Sequence, residues 1–332
     1  MAFTTGTATD QNDLLDKLRL YLVAQGWTEL AWSAGATVND SSVLHVRGPG
    51  AGAGKQVFVS VKTQAGAIAG YYSWELRGAV DYDSGAAWGA QLGQSPTSCY
   101  LNLWSSSITY WFFVNDRRFI VVAKCSTNYM SAHCGFILPW GTPADYPFPL
   151  YIAGDFYELQ PYSYSYAARR MFVDPGNYTQ TPGDARAGGY ARTATGVWYP
   201  IGNHSRSANN NYPQAYSKGQ RGISWPYHAG GSYGLSLGAQ YYPHFWNGGT
   251  GSVDAAYAFE ALVPTQQGER PLLPVMLCPG DQSPLGVLDG VYCTGGTGLA
   301  TEQLISIGAR DFRVFQNIAR NSPDDFFCVE EA

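Results

Sequence analysis

Several groupings of residues in this chain have the types that chemistry needs, and each is judged by the spacing that chemistry demands. Gly48-Pro49-Gly50-Ala51-Gly52-Ala53-Gly54-Lys55 has the glycine-rich texture and closing lysine of a phosphate-binding loop. Such a loop requires a glycine where Pro49 stands, a magnesium-binding Ser or Thr where Gln56 stands, and a helix where an alternating apolar run follows. The segment reads instead as a flexible hairpin loop. Asp81-Tyr82-Asp83-Ser84-Gly85 opens like a calcium loop, but no glutamate stands at the closing position. It reads as an Asp-rich turn.

The five histidines, His45, His133, His204, His228 and His244, are widely separated. None pairs at i, i+4, and none lies near a G-x-S-x-G elbow, so each is assigned a structural role. Hydrolysis or elimination on a polysaccharide needs two carboxylates or a metal-bound base across a groove. Asp155, Glu158, Asp174, Asp184, Asp254 and Glu260 supply carboxylates, but no spacing singles out a pair. No catalytic residue, no metal ligand and no cofactor is assigned. Six cysteines, Cys99, Cys125, Cys134, Cys278, Cys293 and Cys328, lie at wide intervals without a C-x-x-C pair. Buried free thiols are the first reading; disulfides within or between subunits are the alternative.

The elements that must position these groups are mostly strands. A single amphipathic helix is expected over 10–25, with Asp10 as cap, Leu14, Leu15, Leu18 and Leu22 on one face, and Gly26 ending it. From Trp27 the period falls to two, with strands expected over 42–47, 57–62, 71–77 and 100–104. The clearest hairpin is 108–124, where Tyr110-Trp111-Phe112-Phe113-Val114 turns at Asn115-Asp116 and returns as Arg117-Arg118-Phe119-Ile120-Val121-Val122. Asn and Asp tolerate the positive φ of a two-residue turn. Both faces of these strands are apolar, so both need cover, from a second sheet, the helix or another subunit.

Prolines 139, 143, 147 and 149 mark a boundary near 150. The region 151–270 is rich in Gly, Tyr, Asn, Ser and Pro and reads as long loops with short strands, anchored by Trp198, Trp225, Phe245 and Trp246. The segment 271–332 returns to short strands, as in a small β-barrel or sandwich. The expected fold is mainly β: two sandwich or barrel-like domains, 1–150 and 271–332, one N-terminal α-helix, and a loop-rich middle.

Composition speaks to partners. Charged residues are 14% of the 332 and aromatics 15%, with 24 Tyr and 10 Trp, where roughly 25% charged is usual. Interfaces favour Tyr, Trp and Phe over Lys and Glu, so the balance suggests a subunit packed against others. A formal net charge of -5 argues against nucleic-acid binding. No apolar run approaches the roughly 20 residues that span a bilayer, so no membrane insertion is expected. Sequons at Asn39, Asn177 and Asn203 follow no secretion signal and carry no weight.

The hairpin 110–119, with Cys134-Gly135-Phe136-Ile137-Leu138-Pro139, Tyr146-Pro147-Phe148-Pro149-Leu150, Leu285-Gly286-Val287-Leu288-Asp289-Gly290-Val291-Tyr292 and Phe312-Arg313-Val314-Phe315-Gln316-Asn317, resembles virion structural proteins of tailed bacteriophages. The resemblance covers roughly 10–150 and 270–330. It implies no cofactor, no reaction, localisation in the virion, and rings around the particle axis whose copy number is a multiple of three or six. It does not distinguish neck, collar, tail or baseplate. The partners expected are copies of the chain and other virion proteins, with tail fibres or a host surface glycan beyond them. Trp111, Phe113, Arg117, Arg118, Tyr164, Trp198, Tyr212, Trp225 and Trp246 are the interface candidates. The alternatives are a receptor-binding fibre or tip protein reading host glycan through the aromatic middle region and, third, a polysaccharide-degrading tail enzyme.

Overall fold

In a computed structural model, the structure describes residues 1–52, 54–66, 70–140, 146–155, 189–201, 223–224, 272–277, 285–294, 298–316 and 326–331. The chain is mainly β with one helix near its N-terminus. In order the elements are β1 (Ala2–Ala8), α1 (Gln11–Ala24), β2 (Thr28–Ser33), β3 (Val43–Gly48), β4 (Val57–Ala65), β5 (Tyr71–Ala79), β6 (Cys99–Trp104), β7 (Ile108–Val114), β8 (Arg118–Cys125) and β9 (Asn128–Phe136). There follow β10 (Leu138–Pro139), β11 (Leu150–Ala153), β12 (Gly189–Arg192), β13 (Trp198–Ile201), β14 (Ile223–Ser224), β15 (Leu273–Leu277), β16 (Gly286–Thr294), β17 (Leu304–Ile307), β18 (Arg310–Gln316) and β19 (Phe326–Glu330).

These strands make three antiparallel sheets. A central sheet runs β1-β7-β8-β9-β11-β12-β13, a second β2-β3-β4-β5-β6, and a third β14-β15-β16-β19-β18-β17 with β10 paired to β16. The period-two alternation of the 108–124 hairpin sorts its side chains between two cores. Phe112, Val114, Phe119, Val121 and Ala123 face the second sheet and the leucines of α1. Trp111, Phe113, Ile120 and Val122 face Val275, Leu277, Leu288, Val291, Phe315, Phe327 and Val329 of the third sheet. The central sheet is therefore covered on both faces by its own chain, as two sandwich-like interfaces that share one sheet.

That arrangement selects among the covers expected for the hairpin and corrects two further expectations. The hairpin needs no neighbouring subunit for cover, because sheets distant in sequence supply it. The boundary at 150 falls within the central sheet, since β11 pairs with β9 and β12 carries the sheet onward. The strands of 271–332 form one layer on that sheet instead of a separate barrel. The prolines redirect the chain without separating two cores: after β9 leaves the central sheet, Leu138 and Pro139 pair with Val287 and Gly286 of the third. Pro149 then accepts the Ile137 amide at 2.9 Å as the chain returns.

Local signals were legible. The Asp10 carboxylate accepts the Asn12 and Asp13 amides and caps α1, and Gly26 after its end has φ +85°. The 48–55 glycine segment is a hairpin loop between β3 and β4. The strand β1 was not expected. Its Ala-Phe-Thr-Thr-Gly-Thr-Ala sequence lacks clean alternation, and it forms because Ala2 to Ala8 add in register to the open edge of β7. No helix among the described residues is long and apolar enough to cross a membrane.

Candidate functional site

Among the described residues, a cluster of buried polar groups lies at the tip of the β7–β8 hairpin, where the three sheets meet. Asn115 and Arg118 close the turn through the Asn115 amide and the Arg118 carbonyl, 3.0 Å apart, so its two central residues are Asp116 and Arg117. The expected turn at Asn115-Asp116 is shifted by one residue, and neither has positive φ. The reason is the Asn115 side chain, whose Oδ1 accepts the amides of Arg117 at 2.9 Å and Arg118 at 3.0 Å. This local cap lets the chain reverse without the left-handed backbone.

Each neighbouring sheet grips this tip. From the second sheet's side, Trp27 Nε1 donates to the Asn115 carbonyl at 2.9 Å and the Gly50 amide to the Asp116 carbonyl at 2.7 Å. From the third sheet, Asp289 accepts Asn115 Nδ2 at 2.8 Å and Arg117 Nη2 at 3.0 Å on one oxygen, Oδ2. The same oxygen lies 3.9 Å from Arg118 Nε. Arg118 is fully buried; Nη1 donates to the Phe113 carbonyl at 3.1 Å and Nη2 contacts Met1 Sδ at 3.1 Å. Gly290 makes room for it: a Cβ there would lie 2.6 Å from Arg118 Nη2, on a backbone with φ +73°.

Burial opposes every charge here, and pairing decides which survive. Burial lowers the Arg118 pKa to about 10 against the support of Asp289, so it remains a cation at neutral pH. Burial also works against the Asp289 carboxylate, but Arg118, the Asn115 amide and Arg117 outweigh it and hold its pKa below the ordinary value. His133, on the same side of the central sheet, is pushed down to about 3 by burial and then by Arg118, and stays neutral. A shallow open depression of about 510 Å³ lies over the tip, lined by Met1, Ala2, Gln25, Gly50, Val114, Asn115, Asp116 and Arg117.

A second bridge joins the same two sheets. Glu302 accepts Lys124 Nζ at 2.7 Å and the Tyr129 hydroxyl at 2.5 Å, and its carbonyl accepts Arg313 Nη1 at 2.8 Å. Burial opposes the Glu302 charge, yet Lys124 and Tyr129 keep its pKa below the usual range. On the outward face of the second sheet, Ser60 Oγ and His45 Nδ1 lie 2.7 Å apart across β3 and β4. Ser-His pairs of this length serve as nucleophile and base elsewhere. Here both are buried, the Tyr82 ring sits 5.1 Å from the imidazole, and Arg77 lies opposite Ser60 on β5. A carbonyl has no approach to Ser60, and burial lowers the His45 pKa, so the pair acts as a satisfied structural contact.

The interface candidates divide sharply. Trp111 and Phe113 are buried between the central and third sheets, 5.2 and 6.1 Å from the ring of Phe315, so their cover comes from within the chain. Arg117 and Arg118 meet a carboxylate of their own chain, Asp289, and Arg118 is fully buried. Trp198 is partly buried against the second sheet's core and donates through Nε1 to the Gly93 carbonyl at 2.9 Å. Tyr164, Tyr212, Trp225 and Trp246 lie outside the described residues. Cys99, Cys125, Cys134 and Cys328 are buried free thiols, not disulfides; Cys278 lies outside the described residues.

Sequence reasoning missed Asp289 and Glu302, since each is a lone acid, one within the apolar run of β16 and one in the turn before β17. The available signal was Asp289-Gly290 within an apolar run, an acid buried beside a glycine. Among the described residues no group of three or more His, Cys, Asp or Glu is placed to hold a metal ion. Compared with known proteins, the chain matches no family model and no curated protein.

Proposed function

We propose that this chain is a non-enzymatic structural component of a tailed phage particle, sited at the neck, tail or baseplate and built into the virion as an oligomer that holds neighbours or fibres. One observation carries the non-enzymatic part: the buried Arg118 and Asp289 and the half-buried Lys124 and Glu302 are spent in ion pairs between sheets. Arg118 and Arg117 meet Asp289, and Lys124 meets Glu302, each pair tying the central sheet to the third. Such pairs add little net stability but fix the relative placement of layers, a property suited to a rigid building block. A catalytic site would instead direct titratable groups into a cleft. The phage assignment itself rests on the sequence resemblance and on the low charge content.

Cryo-electron microscopy of particles tests this reading. The expected result is density for the three-sheet body in a ring on the particle axis, with the loop-rich middle region in contact with neighbouring subunits. Particles that lack the chain, or purified chain that releases reducing ends from host polysaccharide, refute it. A glycan array on the purified chain separates the receptor-reading alternative.

A further inference from the structure

The third sheet ends in a strand with no described strand on its outer edge. β17 pairs with β18 alone, in the register Leu304↔Arg313, Ile305↔Phe312, Ser306↔Asp311 and Ile307↔Arg310, and no described strand lies beyond it. Exposed edges are ordinarily blunted by brevity or by charged side chains, Pro or a bulge within the strand. Leu304-Ile305-Ser306-Ile307 is short but carries no charge, Pro or bulge; Leu304 is 42% exposed and Ile307 44%.

The hydrogen-bond phase of this edge follows from its hairpin. A two-residue loop, Gly308-Ala309, joins Ile307 to Arg310, which makes Ile307–Arg310 and Ile305–Phe312 the bonded pairs of the ladder. The bonds at the other end agree: Val314 N donates to the Gln303 carbonyl at 2.9 Å and Glu302 N to the Val314 carbonyl at 2.7 Å, around the bulge at Glu302, whose φ is +71°. In this phase the N–H and C=O of Leu304 and Ser306 point away from β18, toward solvent.

We propose that β17 is a self-pairing edge: two copies of this chain join antiparallel about a two-fold axis through Ser306, extending the third sheet across both. The axis is fixed by the phase. Continuation of the sheet requires facing residues of equal parity, and Ser306 opposite Ser306 lets each copy give and take both outward backbone bonds. Ile305 of one copy then faces Ile307 of the other, twice, making a four-isoleucine ladder on the face where Ile305 already packs beside the Phe312 cluster. Leu304 falls over Gly308, where the space a Cβ would fill has nothing within 4 Å. Strands this short bury less than the roughly 1,200 Å² of a standard interface, so the pairing is concentration-dependent. It does not rest on the virion reading.

Variants of the full chain test it. In a bonded antiparallel pair the facing Cα atoms are about 5.5 Å apart, within disulfide range. Ser306→Cys is therefore expected to form an oxidised dimer with a 306–306 link, identified by peptide mapping. Leu304→Cys places its thiols four residues out of register, about 14 Å apart, and is expected to cross-link at least about tenfold less. In sedimentation over a dilution series the unaltered chain shows a dimer that Ser306→Pro abolishes, since the missing N–H lies on the solvent side and β18 pairing is untouched. Ser306→Ala, which loses only the side-chain bond to Asp311, dimerises like the parent. A chain monomeric at its highest soluble concentration overturns the proposal. So does equal cross-linking at 304 and 306, or association that persists in a folded Ser306→Pro variant.

Discussion

Replacing Asp289 by Asn removes one charge, nearly without change of shape, from beside a guanidinium that has no access to water. Arg118 is 0% exposed and the carboxylate that most supports its charge is Asp289. Breaking a buried pair from one side costs about 3–5 kcal/mol, because an uncompensated buried charge remains. At roughly 2 °C per kcal/mol for a chain of this size, the melting temperature falls by about 6–10 °C. Arg118→Met is the informative contrast. It leaves Asp289 with the Asn115 amide at 2.8 Å and Arg117 at 3.0 Å, the latter 38% exposed and able to stay hydrated. The loss there is expected at about 1–3 kcal/mol, chiefly packing and the bond to the Phe113 carbonyl. The double variant loses less than the sum of the singles by about 1–3 kcal/mol, since no orphaned cation remains. Urea unfolding of the four proteins measures the cycle. Losses that simply add, or an Asp289→Asn cost below about 1 kcal/mol, refute the claim that Arg118 depends on Asp289.

His133 supplies a pH signature. Its pKa is about 3 in the fold against an ordinary 6.5, with Arg118, Asp289 and the Tyr151 carbonyl around it. Below pH 6.5 the unfolded chain binds a proton that the folded chain refuses, so stability falls toward pH 3 by up to about 1.4 kcal/mol per unit. His133→Gln is expected to flatten that limb in thermal melts at stepped pH, and an unchanged slope counts against it. Asp289 and Glu302 act lower: their pKa values lie below the ordinary 3.8 and 4.5. Their stabilisation is complete above those ordinary values and is lost as pH falls through the folded ones, so Glu302→Gln changes only the acid end of the curve. Trp111→Ala is expected to cost about 3–5 kcal/mol in the isolated chain. A purely intersubunit tryptophan would leave monomer unfolding unchanged. Cys99, Cys125, Cys134 and Cys328, all held protonated by burial, are expected to resist iodoacetamide until urea exposes them. Native labelling, or a disulfide among them in a non-reducing peptide map, contradicts the assignment.

The sequence alone determined what short-range physics controls. Asp10, the leucines at 14, 15, 18 and 22, and Gly26 specify α1 through capping and a 3.6-residue period. Alternation specifies β3 to β8, the glycines from Gly48 onward mark the β3–β4 loop, and Asn115-Asp116 places the β7–β8 turn to within a residue. The two-faced apolarity of Tyr110 to Val114 announced that both sides of the hairpin are covered, but periodicity records that a face is buried and never by what. Only the tertiary structure decided that Phe315 and Phe327, two hundred residues onward, cover Trp111 and Phe113, and so turned supposed contact residues into core. The same holds for Arg118. Its neighbour in sequence is another arginine, and its neighbour in space, Asp289, arrives on a strand from the far end of the chain. Pairing of that kind depends on long-range closure of sheets, which no local spacing encodes.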